Sequence, residues 1–266
     1  MSDDKKSSFD RDSIKNTLVV AIGVSITCSV LVSAAAVVLQ PLQEKNQTAF
    51  RQRIVLEVAG LYEPDADIAT LFGGIDAYMV DLESGDYIDG IDPQSFDAAA
   101  AANDPSISVS IPKDLDIANL RRRPVYSPVY VVMDGDATQQ IILPVYGAGL
   151  WSTMRGFLAI EADGNTVRGL RFFEHAETPG LGDQIDKDSW LAQFPGKLLF
   201  NAAGNPRFEV VRGKAPPGPN AVHQVDGMSG ATLTGNGVSN LIQYWTGPHG
   251  FGPYLKKMTN EANGNG

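Results

Sequence analysis

Residues 225–246 read VDGMSGATLTGNGVSNLIQYWT, and two kinds of chemistry meet in them. In the second half Val238, Leu241, Ile242 and Trp245 stand at i, i+3, i+4 and i+7, one face of an amphipathic helix, and Gly247-Pro248 ends it. The first half is built of small residues: Gly227, Ser229, Gly230, Ala231, Thr232, Thr234 and Gly235, with Leu233 among them. Small side chains leave backbone N–H groups open just before a helix N-terminus. Open N–H groups and the positive end of the helix dipole together hold an anion, phosphate best of all. The hydroxyls of Ser229, Thr232 and Thr234 can add hydrogen bonds. The same residue types also suit an ordinary N-cap, and the pattern alone leaves both readings open. There is no Gly-Lys-Ser/Thr, so this is not a Walker A loop. Neither Gly147-Ala148-Gly149 nor Gly235-Asn236-Gly237 completes a GxGxxG, so a dinucleotide fold has no support.

Composition narrows the chemistry further. The formal net charge over 266 residues is -10, which argues against a general nucleic-acid binder, because phosphate attraction needs clustered Lys and Arg. The only cysteine is Cys28, so an intramolecular disulfide, a Cys-ligated zinc or iron–sulfur site and C-x-x-C-H haem attachment are excluded. At mid-span of an apolar run it reads as a small apolar residue. His175, His223 and His249 are far apart in sequence, and no metal site is expected.

The elements that must position the helix N-terminus begin with residues 17–39, which contain no charge. As a helix this segment spans about 35 Å, enough for a bilayer core of about 30 Å. A cleaved signal peptide is the rival, with Ala34-Ala35-Ala36 as its small-residue site, but a signal h-region is shorter and here the apolar run continues to Leu39. Four basic residues precede the span (Lys5, Lys6, Arg11, Lys15) and three follow it (Lys45, Arg51, Arg53). By the positive-inside rule this places residues 1–16 as a cytoplasmic arm and 40–266 outside. Residues 40–61 read as a connector and then a helix with Phe50, Ile54, Val58 and Leu61 on one face. Residues 54–112 hold twelve acidic residues and no Lys or Arg, which reads as a solvated acidic insertion rather than a cation site, since EF-hand spacing is absent. Residues 98–105 read as a loop, and Arg121-Arg122-Arg123 as a solvated patch or a contact to a neighbour. Strands are expected at 125–133, 140–146, 156–161, 167–174 and 207–211, with turns at Asp134-Gly135 and Asp163-Gly164-Asn165. A helix is expected at 186–194. The fold class is α+β: one N-terminal transmembrane helix followed by one α+β domain.

Asp226-Gly227-Met228-Ser229-Gly230-Ala231-Thr232 resembles the flavinylation motif D-G-x-S/T-G-A-T of the covalent FMN-binding domain family. The resemblance implies one FMN per chain, attached by a flavin transferase from FAD through a phosphoester to the last threonine, here Thr232. Ser229, Gly230, Ala231, Leu233 and Thr234 would then surround the attachment point. Residues 174–182, EHAETPGLG, are similar to the E-T-P-G-L-G loop that lies beside the flavin ring in that family, which implies contacts from Glu177, Thr178, Gly180, Leu181 and Gly182. Taken alone the loop is a turn after a strand, where Gly180 and Gly182 let the backbone approach a flat ligand. Glu177 is either a neighbour of the ring or a surface or capping carboxylate, and His175 reads as structural. Residues 147–157 resemble the G-x-G-L-W-S-x-x-x-G-F run of the C-subunit family of sodium-translocating NADH:quinone reductases. There Trp151 either stacks on the isoalloxazine or is a core tryptophan.

What this resemblance implies is an electron-transfer subunit of an NADH:quinone oxidoreductase in the bacterial inner membrane. It would be single-pass, with a periplasmic domain and no complete active site of its own. Partners would be the other subunits, the transferase during maturation and membrane lipid. Two alternatives remain open at this point: the FMN subunit of an Rnf-type electron transport complex, and a non-redox anchored domain that holds an anion or acts as a scaffold.

Overall fold

The computed structural model describes residues 13–262, so residues 1–12 of the expected cytoplasmic arm lie outside the described residues. The chain divides into two compact units, one ending at Ala49 and the other beginning at Phe50. The first helix, α1, is Ile14–Ala59, with Pro41 inside it. No connector follows residue 39. Proline in a helix interior costs about 3 kcal/mol, but good helix formers surround it, and the Gln40 amide donates to Glu44 Oε1 at 2.9 Å. Within the first unit the apolar side chains of α1 are exposed, and the helix is long and apolar enough to cross a membrane.

The second unit is organised by one antiparallel sheet. After α2 (Ile68–Phe72) come β1 (Asp76–Asp81), β2 (Tyr87–Ile88), α3 (Ala98–Asn103), β3 (Ser108–Ser110) and β4 (Arg122–Pro124). The long strands follow as β5 (Tyr126–Asp134), β6 (Ala137–Ala148), β7 (Thr153–Glu161) and β8 (Val167–Glu174). Then come α4 (Asp188–Leu191), β9 (Glu209–Val210), β10 (Gln224–Val225), α5 (Thr232–Thr246) and α6 (Gly252–Ala262). The six-stranded sheet has the order β2-β1-β5-β6-β7-β8.

Side chains alternate across a strand, and here they separate two cores. Ile141, Leu143, Leu158 and Ile160 join Val238, Leu241, Ile242 and Trp245 of α5 in one cluster. Ile142, Phe157 and Ala159 join Ile54, Val55, Leu56 and Val58 from the end of α1 in the other. The expected face of α5 is therefore fully buried. On α1, Ile54 and Val58 are buried and Phe50 is exposed, while Leu61 lies beyond the helix end and is exposed. The expected turns also form: Gly135 and Gly164 have φ 61° and 68°.

Several expectations are corrected. The acidic stretch 54–112 is not only a surface insertion. Asp76–Asp81 is an inner strand, pairing with β2 on one edge and β5 on the other, with Met79 and Val80 buried. The carboxylates remain at the solvent side: Asp81 accepts the N–H groups of Glu83 and Ser84, and Asp86 pairs with Lys257. Residues 98–103 are helical rather than a loop, because Asp97 caps a run of alanines by accepting from the N–H groups of Ala99 and Ala100. Of the arginine cluster only Arg121 is solvated. Arg122 donates to Ser108 Oγ at 2.8 Å across the β3–β4 pair, and Arg123 is buried, donating to the Pro124 carbonyl at 2.9 Å. The helix expected at 186–194 shortens to α4, preceded by a 3-10 turn at Gly182–Asp186.

Candidate functional site

The first turn of α5 faces outward at one end of this scaffold. Its N-cap is Ala231 (φ -131°, ψ 41°), and no side chain caps it. The small residues before it therefore do not serve an ordinary N-cap, and the first helical N–H groups are left to another acceptor. Gly230 sits at φ 75°, a left-handed turn position that glycine adopts without strain. Ser229, Gly230, Thr232 and Leu233 are exposed, and Ala231 is buried. Thr232 is the first residue of the helix, so its hydroxyl stands at the positive end of the dipole.

Strands β9 and β10 pair in parallel and carry the approach to this turn. Past β10, Asp226 is held on three sides. Its N–H donates to Gln193 Oε1 at 2.8 Å, its carbonyl accepts from Trp190 Nε1 at 2.8 Å, and its Oδ1 accepts from the Ala215 N–H at 2.8 Å. Gly227 N–H then donates to the Gly213 carbonyl at 2.7 Å. These bonds draw the loop after β9 alongside the motif. Arg212 and Lys214 thereby enter the wall of a cleft of about 590 Å³, together with Ser229, Thr232 and Asn236. Neither cation was singled out from the sequence. The available signal was the expected strand 207–211, whose end carries Arg-Gly-Lys. Two cations, an uncapped helix N-terminus and an exposed hydroxyl form a set suited to a phosphate group. Changing both Arg212 and Lys214 to Gln in a Thr232→Val chain is expected to weaken FMN binding by roughly tenfold without changing stability. Calorimetric titration with FMN measures it, and unchanged affinity removes both residues from the site.

The second segment lies beside the first. Leu181 Cδ2 is 2.9 Å from where a Cβ on Gly230 would stand. Trp151 is not a core residue: it is 69% exposed, and its indole N–H donates to Thr178 Oγ1 at 2.9 Å. Leu150, Leu181 and Leu233 are exposed as well, at 44%, 44% and 60%. Large apolar side chains exposed on neighbouring loops mark a binding ledge rather than a finished surface. Gly180 has φ 79° and open space around its Cα.

Three expected site residues are buried rather than open to the cleft. Glu177 is neither a surface carboxylate nor open to a ligand, being 4% exposed. Its Oε1 accepts the N–H groups of Leu150 (2.9 Å) and Trp151 (3.2 Å), and its Oε2 accepts the Thr234 hydroxyl (2.5 Å). Thr234 is likewise buried, with its hydroxyl spent on Glu177 rather than pointed at the cleft. Gly182 is buried against both. His175 is structural: its Nδ1 accepts the Glu177 N–H at 3.2 Å, which leaves Nε2 to donate to Asp186 Oδ2 at 2.6 Å.

The donor set and the ledge fit a ligand with an anionic end and a flat apolar end, which is the form of FMN. Residues 149–247 match a family described as FMN-binding domain. Relatives named as the C subunit of Na(+)-translocating NADH-quinone reductase include one from Vibrio vulnificus, 45% identical over 248 residues, with 93% of this chain and 96% of that protein covered. Another, from Pseudomonas aeruginosa, is 43% identical over 254 residues, covering 94% and 97%. Among solved structures, NqrC of Shewanella oneidensis aligns with TM-score 0.75 at 32% identity, over 80% of this chain and 98% of that one. The C subunit of the same reductase from Parabacteroides distasonis aligns with TM-score 0.63 at 26% identity, over 82% and 96%.

Proposed function

From the premise that the chain belongs to the C-subunit family of Na(+)-translocating NADH-quinone reductases, we propose that it carries FMN on Thr232 through a phosphoester and relays electrons between redox centres of partner subunits. It is an FMN-binding subunit of an NADH-quinone reductase complex, and its α1 is long and apolar enough to cross a membrane. The observation that carries this proposal is the exposed Thr232 hydroxyl on the uncapped first turn of α5, inside a cleft that also holds Arg212 and Lys214.

Bound FMN supplies reversible electron uptake and release. The chain supplies position. Arg212, Lys214 and the first N–H groups of α5 hold the phosphate. The Thr232 oxygen keeps it from dissociating, which matters for a domain outside the cytoplasm. Trp151, with Leu181 and Leu233, presents an apolar face to the ring and shields it from water. Ser229, Gly230, Ala231 and Gly180 keep the approach open by being small. A flavin transferase must reach Thr232 during maturation, and its exposure is compatible with that.

The family match supports the sodium-translocating complex over an Rnf-type complex, and the FMN match supports a redox role over a scaffold. Intact mass of the purified chain tests the reading. The expected increment equals one FMN less one water, with the other subunits of the reductase co-purifying. An unmodified chain in active complex overturns the linkage, and co-purification with Rnf-type subunits overturns the assignment of the complex.

A further inference from the structure

Glu177 is a buried carboxylate whose three donors are all neutral: two backbone N–H groups from the hairpin loop between β6 and β7, and one hydroxyl from the first turn of α5. It therefore joins three segments that are distant in sequence, namely the loop carrying Trp151, its own loop carrying Thr178 and Leu181, and the helix that begins at Thr232. The packing around it leaves no slack. A Cβ on Gly149 would lie 2.3 Å from its Oε1, and a Cβ on Gly182 would lie 2.8 Å from its Oε2. Two glycines of the expected flavin loops are thus explained by the space this one carboxylate occupies.

Hydrogen bonds to a charged acceptor are shorter and stronger than neutral ones, and an anion against a helix N-terminus gains from the dipole. The carboxyl group is met by three neutral donors, so its bonds set geometry rather than neutralise a partner. The Trp151 indole adds a second tie, to Thr178 Oγ1. The exposed ledge is thereby held in register with the first turn of α5 from beneath.

We infer that Glu177 is a positioning residue that fixes the Trp151 ledge relative to Thr232, and so sets the surroundings of the flavin ring without touching it. This rests on the FMN reading above for its consequence, though not for the contact itself. Alanine at 177 leaves two N–H groups and one hydroxyl unpaired. Glutamine has the same shape. Its oxygen can accept both N–H groups while its NH₂ donates to Thr234 Oγ1.

The test uses the full chain in detergent and two readouts. In the flavin-free Thr232→Val background, amide exchange at residues 150 and 151 is expected to rise about tenfold in Glu177→Ala and to stay near the parent rate in Glu177→Gln. In the flavin-loaded chain, quenching of Trp151 emission, isolated by comparison with Trp151→Phe, is expected to be lost in Glu177→Ala and kept in Glu177→Gln. If Glu177→Ala fails to fold, Thr234→Val, which cuts only the Oε2 arm, is expected to reduce the quenching. Unchanged exchange and quenching in Glu177→Ala, or unchanged quenching in Thr234→Val where that replaces it, overturns the inference, as does equal loss in Glu177→Gln. A wild-type chain that carries no flavin refutes the FMN reading, and the exchange experiment alone then decides the staple.

Discussion

Thr232→Val is expected to abolish flavin fluorescence on a denaturing gel and to return the intact mass to that of the unmodified chain, while the protein still folds. Valine matches threonine in shape and in β-branching, so the first turn of α5 keeps its rotamer preference. The side chain is exposed, and the helix is already without a side-chain cap, so deleting one hydroxyl removes nothing the fold relies on. The expected change in stability is within about 0.5 kcal/mol. The expected effect on the cofactor is all or none, because the proposed ester requires the Thr232 oxygen itself. Ser229 is exposed three residues earlier, and Thr234 is buried with its hydroxyl held by Glu177. Flavin remaining on the band in the variant would transfer the attachment to another residue. A matched loss in Thr232→Ala separates loss of the hydroxyl from any effect of the valine methyl.

Gly227→Ala is expected to produce the second large effect, and it acts on the fold of the motif itself. A Cβ at this position would lie 2.1 Å from the Val211 carbonyl oxygen and 3.1 Å from the Gly213 nitrogen. Both are backbone atoms of the segment that carries Arg212. That segment is tied by the β9–β10 pair and by the Gly227 N–H to Gly213 bond of 2.7 Å, so it cannot move aside cheaply. Overpacking against fixed backbone costs about 3 kcal/mol, which for a domain of this size lowers the melting temperature by roughly 6–12 °C. Thermal unfolding of the flavin-free Thr232→Val chain measures it without interference from the cofactor. In the Thr232 background the same change is expected to lower flavin occupancy, because the loop bearing Arg212 and Lys214 is pushed off the cleft. Gly180→Ala is the internal control. Its surroundings are open, and the strain of φ 79° alone costs about 1–2 kcal/mol. Equal stability of Gly227→Ala and wild type would mean that the close approach of the two loops is absent in solution.

The parts of this protein that could be read from the sequence are those governed by near neighbours along the chain. The buried face of α5 follows from a 3.6-residue period, and the hairpins β5–β6 and β7–β8 from glycine turns between alternating strands. The uncharged run 17–39 defined a membrane-length helix for the same reason, and a helix was expected again before residue 61, but the connector expected between them is helical through Pro41. The motif ending at Thr232 was legible because all its residues lie within one turn and one helix start.

Pairing between distant segments was not legible. Asp76–Asp81 becomes an inner strand because β5 offers it a partner fifty residues later, and no local period announces that. Arg212 and Lys214 reach the cleft because β9 lies parallel to β10. Glu177, open in sequence between a ring neighbour and a surface or capping carboxylate, is an interior staple because its donors come from 27, 26 and 57 positions away. Residue type and spacing specify which groups can bind an anion or carry an ester. Which carboxylate is desolvated, and which hydroxyl stays free to react, depends on where non-local donors converge, and packing of the whole domain sets that.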